Sequence, residues 1–162
     1  MTRSGAGRRT AAQAEPAPGA PSLEEILPYQ INRLSFRMNQ LLARDLHQRG
    51  MTIARWRILS VLATQAAATV NELAAAAMIE QSTLSRALQR LEAEGHIRRL
   101  EDAQDARVRR VALTESGRRE FEAVRDIALA HVARILRGIG EEDRRALHQL
   151  IERMRANVEQ PL

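Results

Sequence analysis

Side chains that can form paired hydrogen bonds are concentrated between residues 81 and 90. Arg donates two parallel bonds to the edge of a guanine, and Gln exchanges two with the edge of an adenine. The short hydroxyl side chains between them allow a helix to approach a base closely. The stretch is therefore suited to contact the bases of DNA, and its candidate residues are Gln81, Ser82, Thr83, Ser85, Arg86, Gln89 and Arg90.

Apolar side chains in the same stretch indicate which element carries these residues. Leu84, Leu88 and Leu91 repeat at intervals of four and three, which is the pattern of a helix that buries one face. We predict a helix over about residues 82–94, and Gly95 is suited to end it in a left-handed conformation. A polar face on such a helix is also common on surfaces that bind nothing, so the neighbouring elements decide between the two interpretations.

A second short helix is predicted immediately before this one. Thr69 and Glu72 have the spacing of a capping box, and apolar residues follow at helical intervals up to Ala77. About four residues separate the two helices, which is the arrangement of a helix-turn-helix. Thr69 and Asn71, at the start of the first of these helices, join the candidate DNA contacts.

A hairpin is predicted after the second helix, where the hydrophobic periodicity changes. Strands are expected at residues 97–101 and 108–113, with a polar tip at 102–106. A hairpin that follows a helix-turn-helix makes it a winged helix-turn-helix, and the wing lies beside the helix that enters the major groove.

Arginines of this hairpin are the candidate contacts to the minor groove and the phosphates. Arg107 lies two residues from Asp105, so both can project to one side, with Asp105 holding the guanidinium that enters the minor groove. The acids Glu101 and Asp102 leave a solvent-facing charged hairpin as the alternative. The flanking candidates for phosphate contact are Arg98, Arg99, Arg109 and Arg110.

The run DARVRRVALTESG, from Asp105 to Gly117, resembles the signature D-x-R-x-x-x-V-x-L-T-x-x-G of the MarR family. The stretch LSRALQRLEAEGHIRR, from Leu84 to Arg99, is similar to the recognition helix of that family and its turn into the wing. Trp56 stands where the family often has a core Trp. The resemblance extends from about Ser22 to the C-terminus. It implies a homodimer whose first and last two helices interlock, a pseudo-palindromic DNA site and, in many members, release by a small ligand.

Further helices are predicted on both sides of the winged helix-turn-helix. One covers about residues 23–48, where Pro28 is expected to kink or divide it, and another covers about 53–65. Two more are predicted at about 115–137 and 141–159. The expected fold class is mainly α with a small β-hairpin, that is, a winged helix-turn-helix with helical dimerisation arms.

Four segments are expected along the chain. They are a disordered basic tail at residues 1–22, an N-terminal dimerisation and ligand helix at 23–50, a DNA-binding lobe at 51–114 and C-terminal dimerisation helices at 115–162. The terminal helices carry more apolar surface than a lone lobe can cover, which favours a two-fold homodimer over an intrachain bundle. Their apolar residues are Leu23, Ile26, Leu27, Ile31, Val132, Ile135, Leu136, Leu147, Leu150, Ile151, Met154 and Val158.

A site for a small-molecule effector is expected between the dimer helices and the DNA-binding lobe, as the family resemblance implies. Arg33 and Arg37 are one helical turn apart and can share one anion, such as a carboxylate or a phosphate. Their aromatic neighbours favour an aromatic acid or its coenzyme A thioester. The alternative is that the aromatic side chains are core and both Arg are solvated or ion-paired. The candidates are Tyr29, Arg33, Phe36, Arg37, His47 and Trp56.

Composition excludes several kinds of site. The chain has 162 residues and a net charge of +5, and all 25 of its basic residues are Arg. It has no Cys, and its four His show no metal-ligand spacing, so neither a metal nor a cofactor is expected. No nucleophile elbow, Gly-rich phosphate loop or HExxH motif is present, so we do not expect an enzyme.

Function classes other than DNA binding have weaker support. No apolar run is long enough to span a bilayer, and the N-terminus lacks the apolar core of a secretory signal, so a cytoplasmic protein is expected. We expect a repressor whose partners are double-stranded operator DNA, a second copy of the chain and a small effector. The alternative is a helical interaction protein, or a constitutive DNA-binding protein without ligand response.

Overall fold

The computed structural model describes residues 22–101 and 109–160. A 3₁₀ turn at Leu23–Glu25 comes first, and a boundary between two compact units of the chain falls between Phe36 and Arg37. The helices and strands of the described residues are α1 (Leu27–His47), α2 (Ile53–Thr64), β1 (Ala68–Thr69), α3 (Val70–Ala77), α4 (Gln81–Ala93), β2 (Ile97–Glu101), β3 (Arg109–Leu113), α5 (Glu115–Ile135) and α6 (Glu141–Glu159). The predicted fold class, mainly α with a small hairpin, is confirmed.

The start of α1 differs from the prediction because of Pro28. The predicted helix begins at residue 23, but the 3₁₀ turn ends at Glu25 and Ile26 is extended, so α1 begins at Leu27. Pro28 is then the second residue of α1, where its missing N–H has no intrahelical acceptor to lose. Pro28 therefore stands at the start of the helix and neither kinks nor divides it.

Threonine hydroxyls cap three of the helices, and the cap at Thr69 is the one that its spacing from Glu72 predicts. Oγ1 of Thr52 accepts from the N–H of Arg55 at 3.2 Å at the start of α2. Oγ1 of Thr69 accepts from the N–H of Glu72 at 3.2 Å, and the Glu72 carboxylate accepts from the N–H of Thr69 at 2.7 Å. Thr114 caps α5 through the N–H of Gly117 at 3.1 Å. Each cap satisfies an N–H that has no acceptor within its helix.

The core lies between α2 and the two helices that follow it. α2 is apolar nearly all round, and it buries Ile58, Leu59 and Leu62. The ring of Trp56 stacks on Phe121 of α5, with centroids 5.3 Å apart and planes 10° apart, and both side chains are half-buried. The remaining large side chains that are fully buried are Leu46, Met51, Leu73, Leu84, Leu88, Leu91 and Val111.

The sheet is antiparallel, with strand order β1-β3-β2. The predicted hairpin is confirmed for β2 and β3, and its tip at 102–106 lies outside the described residues. β1 was not expected, because two residues show no periodicity. It pairs Ala68 with Val111 and Thr69 with Arg110, directly before α3 begins.

The apolar side chains of the last two helices are largely exposed. No residue of α6 is buried, and Leu147, Leu150 and Ile151 are each about half exposed. Along α5, Val124 is buried, while Val132 is 49% exposed. Within one copy of the described chain, the apolar stripe of α6 is thus left without cover.

Candidate nucleic-acid interface

The outward face of α4 is polar and accessible along its whole length. Leu84, Leu88 and Leu91 are at most 1% exposed, and they anchor the helix on the core. The opposite side presents every predicted base-contact residue as exposed, namely Gln81, Ser82, Thr83, Ser85, Arg86, Gln89 and Arg90. Between residues 81 and 91 the helix carries no acid, so nothing on this stretch of α4 repels a phosphate.

The start of α4 carries a residue that the sequence analysis missed. The helix begins at Gln81, one residue before the predicted start, and its N-cap is Glu80, whose side chain makes no capping hydrogen bond. The exposed carboxylate stands at the end of the helix that enters a major groove in this motif. A carboxylate at this position repels phosphate but can accept a hydrogen bond from the amino group of a cytosine.

The two helices of the motif contact each other through polar side chains at their starts. Nε2 of Gln81 donates to Oδ1 of Asn71 at 3.0 Å, and both side chains are exposed. Thr69, by contrast, uses its hydroxyl to cap α3, so its predicted DNA contact competes with that bond. Between the helices, Met78 adopts a left-handed conformation with φ 51°, and 75% of it is exposed.

The base of the wing holds several of its arginines in ion pairs. Nη1 of Arg109 lies 2.7 Å from Oε1 of Glu101 on the neighbouring strand, and Nε of Arg99 lies 3.0 Å from Oε2 of Glu92. Both pairs are exposed, so phosphates can compete with the carboxylates at little cost. The predicted minor-groove pair, Asp105 and Arg107, lies outside the described residues.

A groove of about 680 Å³ lies beside the recognition helix, between it and the N-terminal turn of α2. Arg86 and Arg90 reach it from α4, and Thr52 and Arg55 reach it from α2. The contribution of α2 to this groove was not predicted from the sequence. Its only signal was two Arg, at 55 and 57, in an otherwise apolar helix.

The predicted ligand residues make separate contacts. Nη1 of Arg33 lies 2.9 Å from Oε1 of Glu24, while Nη1 of Arg37 donates to Oε1 of Gln40 at 3.3 Å. Trp56 has one face covered by Phe121. Tyr29, Phe36 and His47 are exposed, at 38% and 59% for the first two.

Other classes of site have no support in the described part of the chain. Among residues 22–101 and 109–160, no group of three or more His, Asp or Glu side chains is placed to hold a metal ion. In the same ranges, no helix combines the length and the apolar character that a membrane crossing requires.

A helix-turn-helix with an exposed polar second helix and a flanking antiparallel hairpin defines a winged-helix DNA-binding protein. The model of the MarR family matches residues 49–108. A solved MarR-family transcriptional regulator from Silicibacter pomeroyi is 34% identical, with a TM-score of 0.77, over 86% of this chain and 94% of that one. The chain therefore belongs to the MarR family, and it is a DNA-binding transcriptional regulator and not an enzyme.

Three further proteins show the range of the similarity. The transcriptional repressor IacR of Pseudomonas putida is 24% identical over 90% of this chain and 87% of its own length. The transcriptional activatory protein BadR of Rhodopseudomonas palustris is 33% identical, but the match spans only 57% of this chain and 59% of BadR. The solved structure of Bordetella bronchiseptica BpsR, described as regulated in DNA binding by 6-hydroxynicotinic acid, has a TM-score of 0.74 at 24% identity, over 84% and 97% of the two chains.

Proposed function

We propose that this protein is a homodimeric repressor that binds a pseudo-palindromic operator and is released by a small aromatic acid or acyl-coenzyme A ligand. The polar face of α4 carries the proposal. Its exposed Gln, Ser, Thr and Arg side chains lie over a buried row of leucines, with the wing strands adjacent in sequence. In this motif the N-terminal end of the second helix enters the major groove.

Within this proposal, side chains of α4 and the wing divide the work of recognition. Arg86 and Gln89 contact base edges in the major groove, where each can form two hydrogen bonds to one base. Arg107 at the wing tip enters the minor groove, held by Asp105. Arg109 releases Glu101 and contacts a phosphate, which fixes position and not sequence.

A homodimer is supported by the apolar surface that one copy leaves exposed. Leu147, Leu150 and Ile151 form a stripe along α6, and Leu129 and Val132 extend apolar surface on α5. Burying such a side chain fully contributes about 1.5–3 kcal/mol. Association of two copies through this surface would therefore be favourable. A two-fold dimer also gives two recognition helices for two half-sites about one helical turn apart.

Repression and ligand release rest on relatives and on the predicted ligand residues. IacR is named a repressor and BadR an activator, so the sense of regulation requires a direct measurement. An aromatic acid regulates BpsR, which agrees with the class of ligand that Arg33 and Arg37 favour. A constitutive DNA-binding protein is the second candidate, because Glu24 already pairs with Arg33 and Phe121 covers one face of Trp56.

The first experiment is selection of bound fragments from the source genome, followed by affinity measurement on the selected site and on random DNA. Arg86→Ala should relax specificity at one base pair at a cost of about 1–3 kcal/mol. Arg107→Ala should weaken binding while the protein stays folded. Arg137→Ala is the matched control, because Arg137 is exposed and lies beyond the end of α5. If both test variants bind like the parent, the assigned surface is wrong.

Two further measurements separate the remaining parts of the proposal. Sedimentation equilibrium should give a dimer, and Leu150→Asp should give a monomer, because a carboxylate cannot be buried in an apolar interface without a partner. A screen of aromatic acids and acyl-coenzyme A compounds should release the selected DNA. Release by none of them would favour the constitutive candidate, and a reporter fused to the operator would distinguish repression from activation.

A further inference from the structure

Arg57 of α2 connects the end of α3 to α1. Its Nη2 donates to Oδ1 of Asn39 on α1 at 3.1 Å, and its Nη1 donates to the carbonyl oxygen of Ala77 at 3.4 Å. Ala77 is the last residue of α3, so the cation also meets the negative end of that helix. One guanidinium thus joins the first helix of the DNA-binding motif to the helix outside it.

Arg55, two residues earlier in α2, makes the corresponding connection for α4. Its Nη1 lies 2.6 Å from Oε2 of Glu94, the C-cap residue of α4, and its Nη2 lies 3.4 Å from Oε1 of Glu120 on α5. The side chain is only 18% exposed, so water and salt screen this arrangement less than a surface ion pair. Between the two Arg, Trp56 stacks on α5 through Phe121.

We infer that Arg55 and Arg57 are positioning residues, which fix the direction of both helices of the DNA-binding motif relative to α1 and α5. Each guanidinium has one nitrogen on the C-terminal end of a motif helix and another on a helix outside the motif. The planar fork of Arg holds two acceptors at fixed angles, which the single ammonium of Lys does not. The inference rests on the proposed function, because α1 and α5 are proposed dimer helices and the motif is proposed to read half-sites.

The arrangement around Arg55 favours positioning over stability as its role. The Nε of Arg55 is buried and has no hydrogen-bond partner among the described residues. An unsatisfied buried donor costs free energy, and replacing a buried ion pair by apolar side chains is often neutral or stabilising. What an apolar replacement would not supply is a defined angle between α4 and α5.

A measurement without DNA tests the inference directly. Because the chain has no Cys, Gln89→Cys on α4 and Arg125→Cys on α5 give two unique sites for nitroxide labels. The labelled chain is diluted with unlabelled chain, and pulsed electron resonance gives the distance distribution between the labels. Arg55→Gln should broaden this distribution relative to the parent. Arg57→Gln should broaden the distribution between labels at Arg44→Cys on α1 and Ala76→Cys on α3, the two helices that Arg57 connects. Arg137→Gln, which removes an exposed charge beyond α5, should leave both distributions unchanged.

If a substitution of Arg55 or Arg57 prevents folding, variants at their hydrogen-bond partners outside α2 still test the inference. Asn39→Ala removes the outer acceptor of Arg57, Glu120→Gln removes the charge of the outer acceptor of Arg55, and both leave the bond of each Arg to the motif in place. Each should broaden the label distances, and Asn39→Ala combined with Arg57→Gln should add little to either single change. Arg57→Lys should give a distance distribution narrower than that of Arg57→Gln but broader than that of the parent. Unchanged distributions in folded Asn39→Ala and Glu120→Gln would overturn the inference.

Binding to operators of altered spacing gives the functional result. The parent should prefer its selected half-site spacing over a site with one inserted base pair. In the positioning variants, the ratio of the affinity for the selected spacing to the affinity for the altered spacing should fall about tenfold. Their affinity for random DNA, and the salt dependence of that affinity, should stay at the parent level. A parent that selects no DNA would refute the proposed function, and the label distances would still decide the inference. A spacing preference equal to that of the parent, in variants with broadened distances, would contradict the role in half-site reading.

Discussion

Gly117, in the first turn of α5, gives the sharpest test of how the base of the wing is packed. The residue is buried, and a Cβ built on it would collide with the carbonyl oxygen of His96, with the carbonyl carbon at 2.9 Å. The same Cβ would lie 3.1 Å from Cδ2 of Leu113. Because a backbone carbonyl cannot rotate away as a side chain can, Gly117→Ala has to push α5 away from the segment between α4 and β2.

The expected loss of stability follows from what that shift breaks. Thr114 holds this junction through two hydrogen bonds, from its N–H to the carbonyl of His96 at 3.0 Å and from its Oγ1 to the carbonyl of Gly95 at 2.6 Å. Losing them costs about 1 kcal/mol each, and overpacking adds about 1–3 kcal/mol. The higher helix propensity of Ala returns about 1 kcal/mol. The net destabilisation should be about 2–4 kcal/mol, which lowers the Tm by roughly 4–16 °C for a chain of this size.

Thermal unfolding followed by circular dichroism, at one fixed protein concentration, measures this change. Gly140→Ala is the matched control, because Gly140 has φ −67° and its Cβ would meet only Oδ2 of Asp143 at 3.8 Å. Its Tm should shift by no more than about 2 °C. A Gly117→Ala protein that melts at or above the parent temperature would refute the packing argument.

Three further predictions concern the turn, the pH dependence and the start of the recognition helix. Met78→Gly should stabilise the protein by about 1 kcal/mol, because Gly adopts the left-handed conformation at φ 51° without the strain that Met carries there, and the exposed Met side chain loses little packing. A lower Tm would contradict this. Burial, then Arg134 at 3.1 Å, hold the pKa of His131 below its ordinary 6.5, with Asp45 opposing them. The unfolded chain therefore takes up the proton first, and the free energy of unfolding should fall as the pH drops below about 6.5. Urea titrations should show this fall in the parent and a smaller one in His131→Gln; equal slopes would rule it out. Glu80→Gln should bind random DNA about threefold more tightly, measured by fluorescence anisotropy, and unchanged binding would place the carboxylate away from the phosphates.

Helix ends and the hairpin could be predicted because the signals for them are local. Thr52, Thr69 and Thr114 cap their helices through bonds to residues only three positions ahead, so a short window of sequence contains both partners. The leucine repeat of α4 likewise fixes its buried face within a dozen residues. The MarR family, recognised from residues 84–117, is confirmed by the family model together with the 34%-identical solved regulator.

The features that were missed depend on partners far along the chain or on exceptions to local preference. The contacts of Arg55 join residues 39 and 65 positions away, and no periodicity records such a contact. Glu80 begins α4 without a capping bond, so no N-cap signal marks the start of the helix, which was predicted one residue late. On α5 and α6 the apolar periodicity correctly predicts helices. It does not indicate how much of the apolar face one copy of the chain leaves exposed, as at Val132 and Leu150.

The two-residue strand β1 has a mechanical consequence for regulation. Thr69 both pairs with Arg110 of the wing and caps α3, so the wing base and the first helix of the motif share one residue. A force on either is transmitted through that residue to the other within one peptide unit. We therefore expect the described wing strands and α3 to move together, so that a change in the orientation of α3 also moves the base of the wing.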